Sequence, residues 1–216
     1  EETQAGANAS PGQGPELYQV GSALRLWRAI TSARIPNTQW SSGNALFCTM
    51  YVVANVAALA YGVVFAGYEI KRGLGSLAAA NTLFLIIPAT RNNVLTFTLG
   101  LPFDHIVLYH RFLGRVTILI ALIHGVMYFP KVSELTASVN FTGVGALFCG
   151  LIIVATTFDF VRRKHFNTFF YAHYSFAGFF VLAYLHHPQS RPFMLAGVSV
   201  YVVDKLLRVL WTLLPR

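Results

Sequence analysis

The chain has 216 residues, of which 55% are hydrophobic and 11% charged, with a mean hydropathy of +0.55 and a formal net charge of +8. A soluble domain of this size carries about 25% charged residues, so the composition excludes that class and predicts an all-helical protein embedded in a bilayer. The basic excess does not argue for nucleic acid, because Lys and Arg gather at the ends of apolar runs, where lipid headgroups and topology account for them.

Read in chain order, the sequence opens on Glu1 rather than Met, as if cut, and shows no secretory signal. Residues 1–16 are rich in Gly, Ala, Ser and Pro without apolar periodicity and read as a tail. Residues 17–42, with Arg25, Arg28 and Arg34, read either as an amphipathic helix on the cytoplasmic face or as a short basic linker. The expected domains are therefore a cytoplasmic segment, 1–42, and a membrane domain, 43–216. Six apolar spans are predicted in the latter, at about 45–67, 73–95, 105–129, 144–161, 169–186 and 193–214. Cys48 and Cys149 lie inside apolar runs and read as small hydrophobes, with no disulfide framework.

Lys and Arg near the span ends set the expected orientation. One side collects Arg25, Arg28, Arg34, Arg91, Arg162, Arg163, Lys164, Lys205, Arg208 and Arg216; the other keeps Lys71, Arg72, Lys131 and Arg191. Both termini are thus expected in the cytoplasm. A glycosylation sequon at Asn140 falls in the expected outer loop after the third span, and one at Asn8 falls on the cytoplasmic side.

The third span carries His110 and His124, fourteen residues apart. That is close to four turns and about 21 Å of rise, so both imidazoles point the same way at two depths. The fifth span repeats the arrangement with His173 and then His186 and His187. Intramembrane ionisable groups are costly, and four histidines paired in depth on two helices suit two stacked haems, each held by facing imidazoles. At the outer end helical phase favours His187, whereas Pro188 biases His187 away from helical dihedrals; His186 is preferred, with a local bulge to correct its phase.

Haem propionates need cations. Arg72 and Arg91 flank the second span, one at each expected haem level, and plain snorkelling is their alternative reading. Arg111 and Arg115 share a face of the third helix, and Arg115 lies deep enough to need a propionate or a carbonyl. Arg162, Arg163 and Lys164 read as a topology signal or as a docking surface for a cytoplasmic domain. His105 and His165 read as interfacial. Phe179, between His173 and His186, could fill the gap between the haems or simply pack.

The motifs IIPATRNN (86–93), YHRFLGR with His124 following, and FFYAHYSF with FFVLAYLHH resemble the ferric reductase and NADPH oxidase superfamily over about residues 68–214. The resemblance implies a six-helix bundle with two stacked b-type haems in the plasma membrane. His110 and His173 match the inner-haem ligands, and His124 and His186 the outer ones. Arg72 and Arg91 match arginines near the outer and inner haem, and Phe179 the aromatic between them. Electrons would pass from NADPH through FAD, by way of the haems, to an extracellular acceptor. No strand-rich flavin barrel or nucleotide-binding fold follows the sixth span, so FAD and NADPH are expected on a segment or partner beyond these residues. Superoxide-forming oxidases carry a further His one turn after the outer ligand of the third helix, where this chain has Tyr128. Ferric-chelate reduction is therefore the leading reading. A superoxide-forming oxidase and a haem electron-carrier subunit for a partner reductase come next. A proton-relaying transporter is disfavoured, because Asp204 is almost the only carboxylate within a span.

Overall fold

The computed structural model describes residues 26, 29, 32–36, 40–90, 103–128 and 138–213, which are all-helical apart from short turns and one isolated bridge. The expected tail, the Asn8 sequon, Arg25, Arg28, Arg91, Lys131 and Arg216 lie outside the described residues. The chain divides into two units, Glu1–Met50 and Tyr51–Arg216.

In the first unit, Ser42 N donates to Ala33 O at 2.8 Å and Ile35 N to Trp40 O at 2.9 Å, around a bridge between Arg34 and Ser41. Ser41 Oγ accepts from Asn44 N at 3.2 Å. That satisfies one of the open N–H groups where helix α1 (Ser42–Val64) begins.

The second unit takes up α1 from Tyr51 onward. Gly67, at φ 67°, turns the chain out of α1, and Tyr68 N donates to Gly62 O at 2.9 Å. Helix α2 (Ile70–Ile86) passes into a tight turn at Ile87–Ala89. Pro88 supplies no N–H to an α-helix, so the helix gives way to this turn, and the described part of the second span is Ile70–Ala89. Helix α3 (Phe103–Tyr128) matches the third expected span closely. Helix α4 (Ser138–Thr156) starts six residues earlier than expected, which places Asn140 in a helix rather than in a loop. Short helices α5 (Asp159–Lys164) and α6 (Phe166–His173) come after it, then α7 (Ser175–His186), a turn at Pro188–Ser190, and α8 (Arg191–Leu213).

Packing closes a ring: α2 lies on α3, α3 on α4, α4 on α6 and α7, α7 on α8, and α8 back on α2. Ala79, Ile86, Phe180 and Met194 form the core where α2, α7 and α8 meet. Gly197 admits Phe180 there, since a Cβ at that position would stand 3.0 Å from its ring. Asn81 Nδ2 donates to Asn55 Oδ1 at 2.5 Å, and Asn55 Nδ2 to Tyr51 O at 2.9 Å. Two amides that would be expensive alone in an apolar interior thereby satisfy each other and join α2 to α1. At the other end of α3, Arg111 Nη2 donates to Asp159 Oδ1 at 3.0 Å, and Arg162 adds a second contact at 2.9 Å. The Arg111 guanidinium holds the Asp159 carboxyl below the usual carboxylate range.

Four segments are long and apolar enough to cross a membrane: α1, α2 with its turn (Ile70–Ala89), α3, and α6 with α7 (Phe166–His186). The protein is accordingly integral to the membrane. Of the two remaining expected spans, α4 has a shorter apolar stretch, Asn140–Thr156. Helix α8 has 23 residues but carries Arg191, Asp204, Lys205 and Arg208.

Candidate haem-binding site

Among the described residues, two cavities in the ring of helices are lined by histidines. One, of about 470 Å³, opens where α2 and α8 begin and α3 and α7 finish; Arg72, His124, Tyr128, Phe179 and His186 are among its lining residues. The other, of about 720 Å³, lies where α2 ends and α3 begins, lined by Pro88, Ala89, Thr90, Phe103, Val107, His110, His173 and Arg208. Each cavity thus carries one histidine from α3 and one from the broken α6–α7 segment, and His187, just past α7, lines the first cavity as well.

The two pairs share one geometry. The ring centres of His110 and His173 are 6.2 Å apart, and those of His124 and His186 are also 6.2 Å apart. A metal–imidazole bond of about 2 Å, with about 1.1 Å from that nitrogen to the ring centre, places two imidazoles on opposite sides of one iron about 6.2 Å apart. Both pairs therefore fit the spacing of a bis-histidine haem. The ring planes are turned by 61° and 80°, a rotation that such an axis permits. Among the described residues no three His, Cys, Asp or Glu side chains gather in metal-holding geometry. Ligands that come in twos suit a macrocycle that brings its own four nitrogens.

Both α3 histidines are oriented from behind. His110 Nδ1 lies 3.1 Å from Leu85 O, and His124 Nδ1 lies 2.7 Å from Lys71 O. With Nδ1 donating to a carbonyl, Nε2 carries the lone pair and the ring cannot turn, the usual support of a metal-bound imidazole. His173 Nδ1 is buried and has no hydrogen-bond partner among the described residues, and Phe169 and Phe176 flank the ring at 5.5 and 6.4 Å.

Glycines make room for the other pair. A Cβ on Gly75 would stand 2.7 Å from the His124 ring, and one on Gly143 would stand 2.5 Å from the His186 ring. Only glycine lets α2 and α4 pass this close behind the imidazoles. Neither glycine stood out in the sequence, because a glycine in an apolar helix looks the same whether it faces lipid or a histidine.

His186 and His187 both line the first cavity, and the local backbone sets them in different conformations. Tyr174 N donates to Tyr171 O at 3.1 Å and Ala177 N to Tyr174 O at 3.0 Å, both i to i−3. Such a turn winds about 120° per residue instead of about 100° and advances the phase of every later residue in the helix. The expected bulge is thus replaced by a tightened turn, which brings residue 186 toward the cavity. His187 is extended (φ −152°, ψ 142°), and its Nδ1 accepts from Gln189 N at 3.2 Å, capping the next turn.

Of the other expected site residues, Arg72 and Phe179 line the first cavity, and Arg91 lies outside the described residues. Arg115 is exposed, with its guanidinium over the Phe158 ring at 5.7 Å, and lines neither cavity. The α-helix turns about 100° per residue, so a position five residues past His110 faces well away from it. Arg208, read from sequence only as a topology marker, lines the second cavity.

The described helices define an integral membrane protein in which two facing pairs of histidines lie within a ring of helices. The model of the ferric reductase like transmembrane component matches residues 74–184, just over half the chain, and the chain belongs to that family. It is 31% identical over 149 residues to ferric reduction oxidase 2 of Arabidopsis thaliana, covering 63% of this chain and 21% of that protein. It is 33% identical over 140 residues to a probable ferric reductase transmembrane component of Eremothecium gossypii, covering 62% and 19%. A ferric/cupric reductase transmembrane component 1 of Candida albicans is 29% identical over 154 residues, covering 66% and 20%. The chain thus spans about a fifth of the length of these relatives.

Proposed function

We propose that this chain carries electrons across the membrane to an extracellular acceptor, chelated ferric iron, using two b-type haems. The observation that carries the reading is the pair of 6.2 Å imidazole separations at opposite ends of one helical ring. His110 and His173 would hold the inner haem, and His124 and His186 the outer, with Arg72 near the outer one. Haem supplies reversible one-electron chemistry at iron. The protein fixes the ring tautomers through Leu85 O and Lys71 O, keeps the ligands in an apolar surround, and fills the space between the levels with side chains such as Phe179.

The reading places both termini in the cytoplasm of a plasma-membrane protein, with residues 43–216 as the haem domain. It also takes α4 and α8 across the bilayer: nineteen and twenty-three residues rise about 28 and 34 Å, comparable to the hydrocarbon core. Electrons would come from a cytoplasmic module binding FAD and NADPH, consistent with relatives about five times longer. The ferric acceptor accords with what the relatives' names say of those proteins.

The test is haem quantitation on the purified chain. Two low-spin haems per chain are expected, and one or none sinks the reading. The glycines give a second expected outcome. Gly75→Ala or Gly143→Ala pushes a methyl into the His124 or His186 ring, so the outer haem is lost while the inner stays. Equal retention of both haems in both variants would show that the outer imidazoles do not depend on that clearance.

A further inference from the structure

Arg208 and Asp204 form an ion pair that the electron-transfer reading leaves unused. Asp204 is 4% exposed on α8, and Arg208 Nη2 donates to its Oδ2 at 2.6 Å, one helical turn away. A carboxylate that deep needs a cation, and the i, i+4 arginine supplies it. The pairing does not exhaust the guanidinium, which has five N–H donors in a planar fork. Its Nε is buried and, among the described residues, meets no hydrogen-bond partner. The side chain lines the same cavity as His110 and His173. An arginine held by a buried acid, with donors to spare beside a pair of imidazoles, is built to receive a second anionic oxygen ligand.

We propose that Arg208, held in place by Asp204, binds a carboxylate of the haem at the His110–His173 level and sets that haem's reduction potential. This rests on the two-haem reading above. Haem b carries two propionates, and a haem held by His110 and His173 would bring them within the cavity that Arg208 helps to line. A cation near the iron stabilises the reduced form, and an anion stabilises the oxidised form. The two residues of the pair therefore act on the potential in opposite directions. Arg208 is a positioning and tuning residue and makes no bond to iron.

The experiment is a potentiometric titration of the full chain, purified with its haems in lipid nanodiscs, following the two haems separately. In R208Q the lower charge is expected to make reduction of the inner haem about tenfold less favourable, a downward shift of about 59 mV for one electron. In D204N the inner potential is expected to rise, and R208K is expected to restore most of the loss in R208Q. The outer haem, about 21 Å away by helical rise, is expected to keep its potential in all three. Haem content measured alongside shows whether R208Q still fills the site, and D204N gives an independent answer where it does not. Potentials indifferent to both charges, or shifts of the same sign in R208Q and D204N, overturn the proposal. A wild-type chain without two redox-active haems instead overturns the reading on which it rests.

Discussion

Alanine at His110 or His173 is expected to leave the purified chain with one haem instead of two, and alanine at His124 or His186 to do the same at the opposite end of the bundle. The separations of 6.2 Å allow one iron per pair, so either partner alone leaves an open coordination position. A b-type haem has no covalent tether, and losing an axial ligand removes the strongest bond that holds it. The effect within a pair is expected to be non-additive: His110→Ala with His173→Ala is no worse than either alone, because both destroy the same site. Across pairs the losses are expected to add, leaving no haem in His110→Ala with His124→Ala. Haem quantitation and reduced-minus-oxidised spectra read all of these. The α3 variants also leave Leu85 O or Lys71 O without its imidazole donor, a cost of about 1–3 kcal/mol where the carbonyl stays buried. Their thermal stability is therefore expected to fall more than the loss of haem alone explains. Retention of both haems in His124→Ala would break the assignment at that end.

Reduced protein is expected to be reoxidised faster by ferric citrate than by oxygen at comparable concentrations. The argument lies at the mouth of the first cavity. Tyr128 packs edge-on to His124 at 5.1 Å, and the Lys71 ammonium stands over its ring at 5.3 Å. Lys71 also pairs with Glu69 at 3.1 Å, Arg72 lines the cavity, and Arg191 sits over Tyr184 at 5.5 Å. Cations crowd this entrance and would draw in an anionic iron chelate. Reduction of such a chelate needs only an outer-sphere electron. Oxygen gains from a positive polar pocket that stabilises superoxide as it forms. A phenol can donate one hydrogen bond but carries no positive charge, so Tyr128 is a poor substitute for an imidazole. Stopped-flow reoxidation measures both rates. The citrate advantage is expected to shrink as salt rises, because exposed charges are screened over about 8–10 Å at physiological ionic strength. Tyr128→His is expected to speed the reaction with oxygen. Faster wild-type reaction with oxygen than with ferric citrate, yielding superoxide, would place the protein on the oxidase side.

The membrane class, the all-helical fold and the paired histidines were legible in the sequence because each rests on one-dimensional regularity. A run of apolar residues reports a bilayer whatever its neighbours do. Fourteen residues between His110 and His124 report a shared face whatever they face. The motifs around them were enough to point to the family that the comparison then established.

What the sequence left open depends on contacts between helices or on short departures from ideal winding. The His186 ring comes to 6.2 Å from that of His124 after two i to i−3 hydrogen bonds around Tyr174, a twist that periodicity counting takes as zero. Arg115 turns out to Phe158, while Arg208, which looked like an ordinary end-of-span cation, joins the cavity of His110 and His173. Both are arginines in apolar helices, and only the azimuth of each helix within the ring separates them. Gly75 and Gly143 are silent in the sequence for the same reason: the residue a missing Cβ makes room for lies 49 positions away in one case and 43 in the other. Composition and spacing thus pointed to the kind of chain this is and to which imidazoles stand in pairs. Rotation of each helix about its own axis, set by packing around the closed ring, decided which cations and glycines stand behind them.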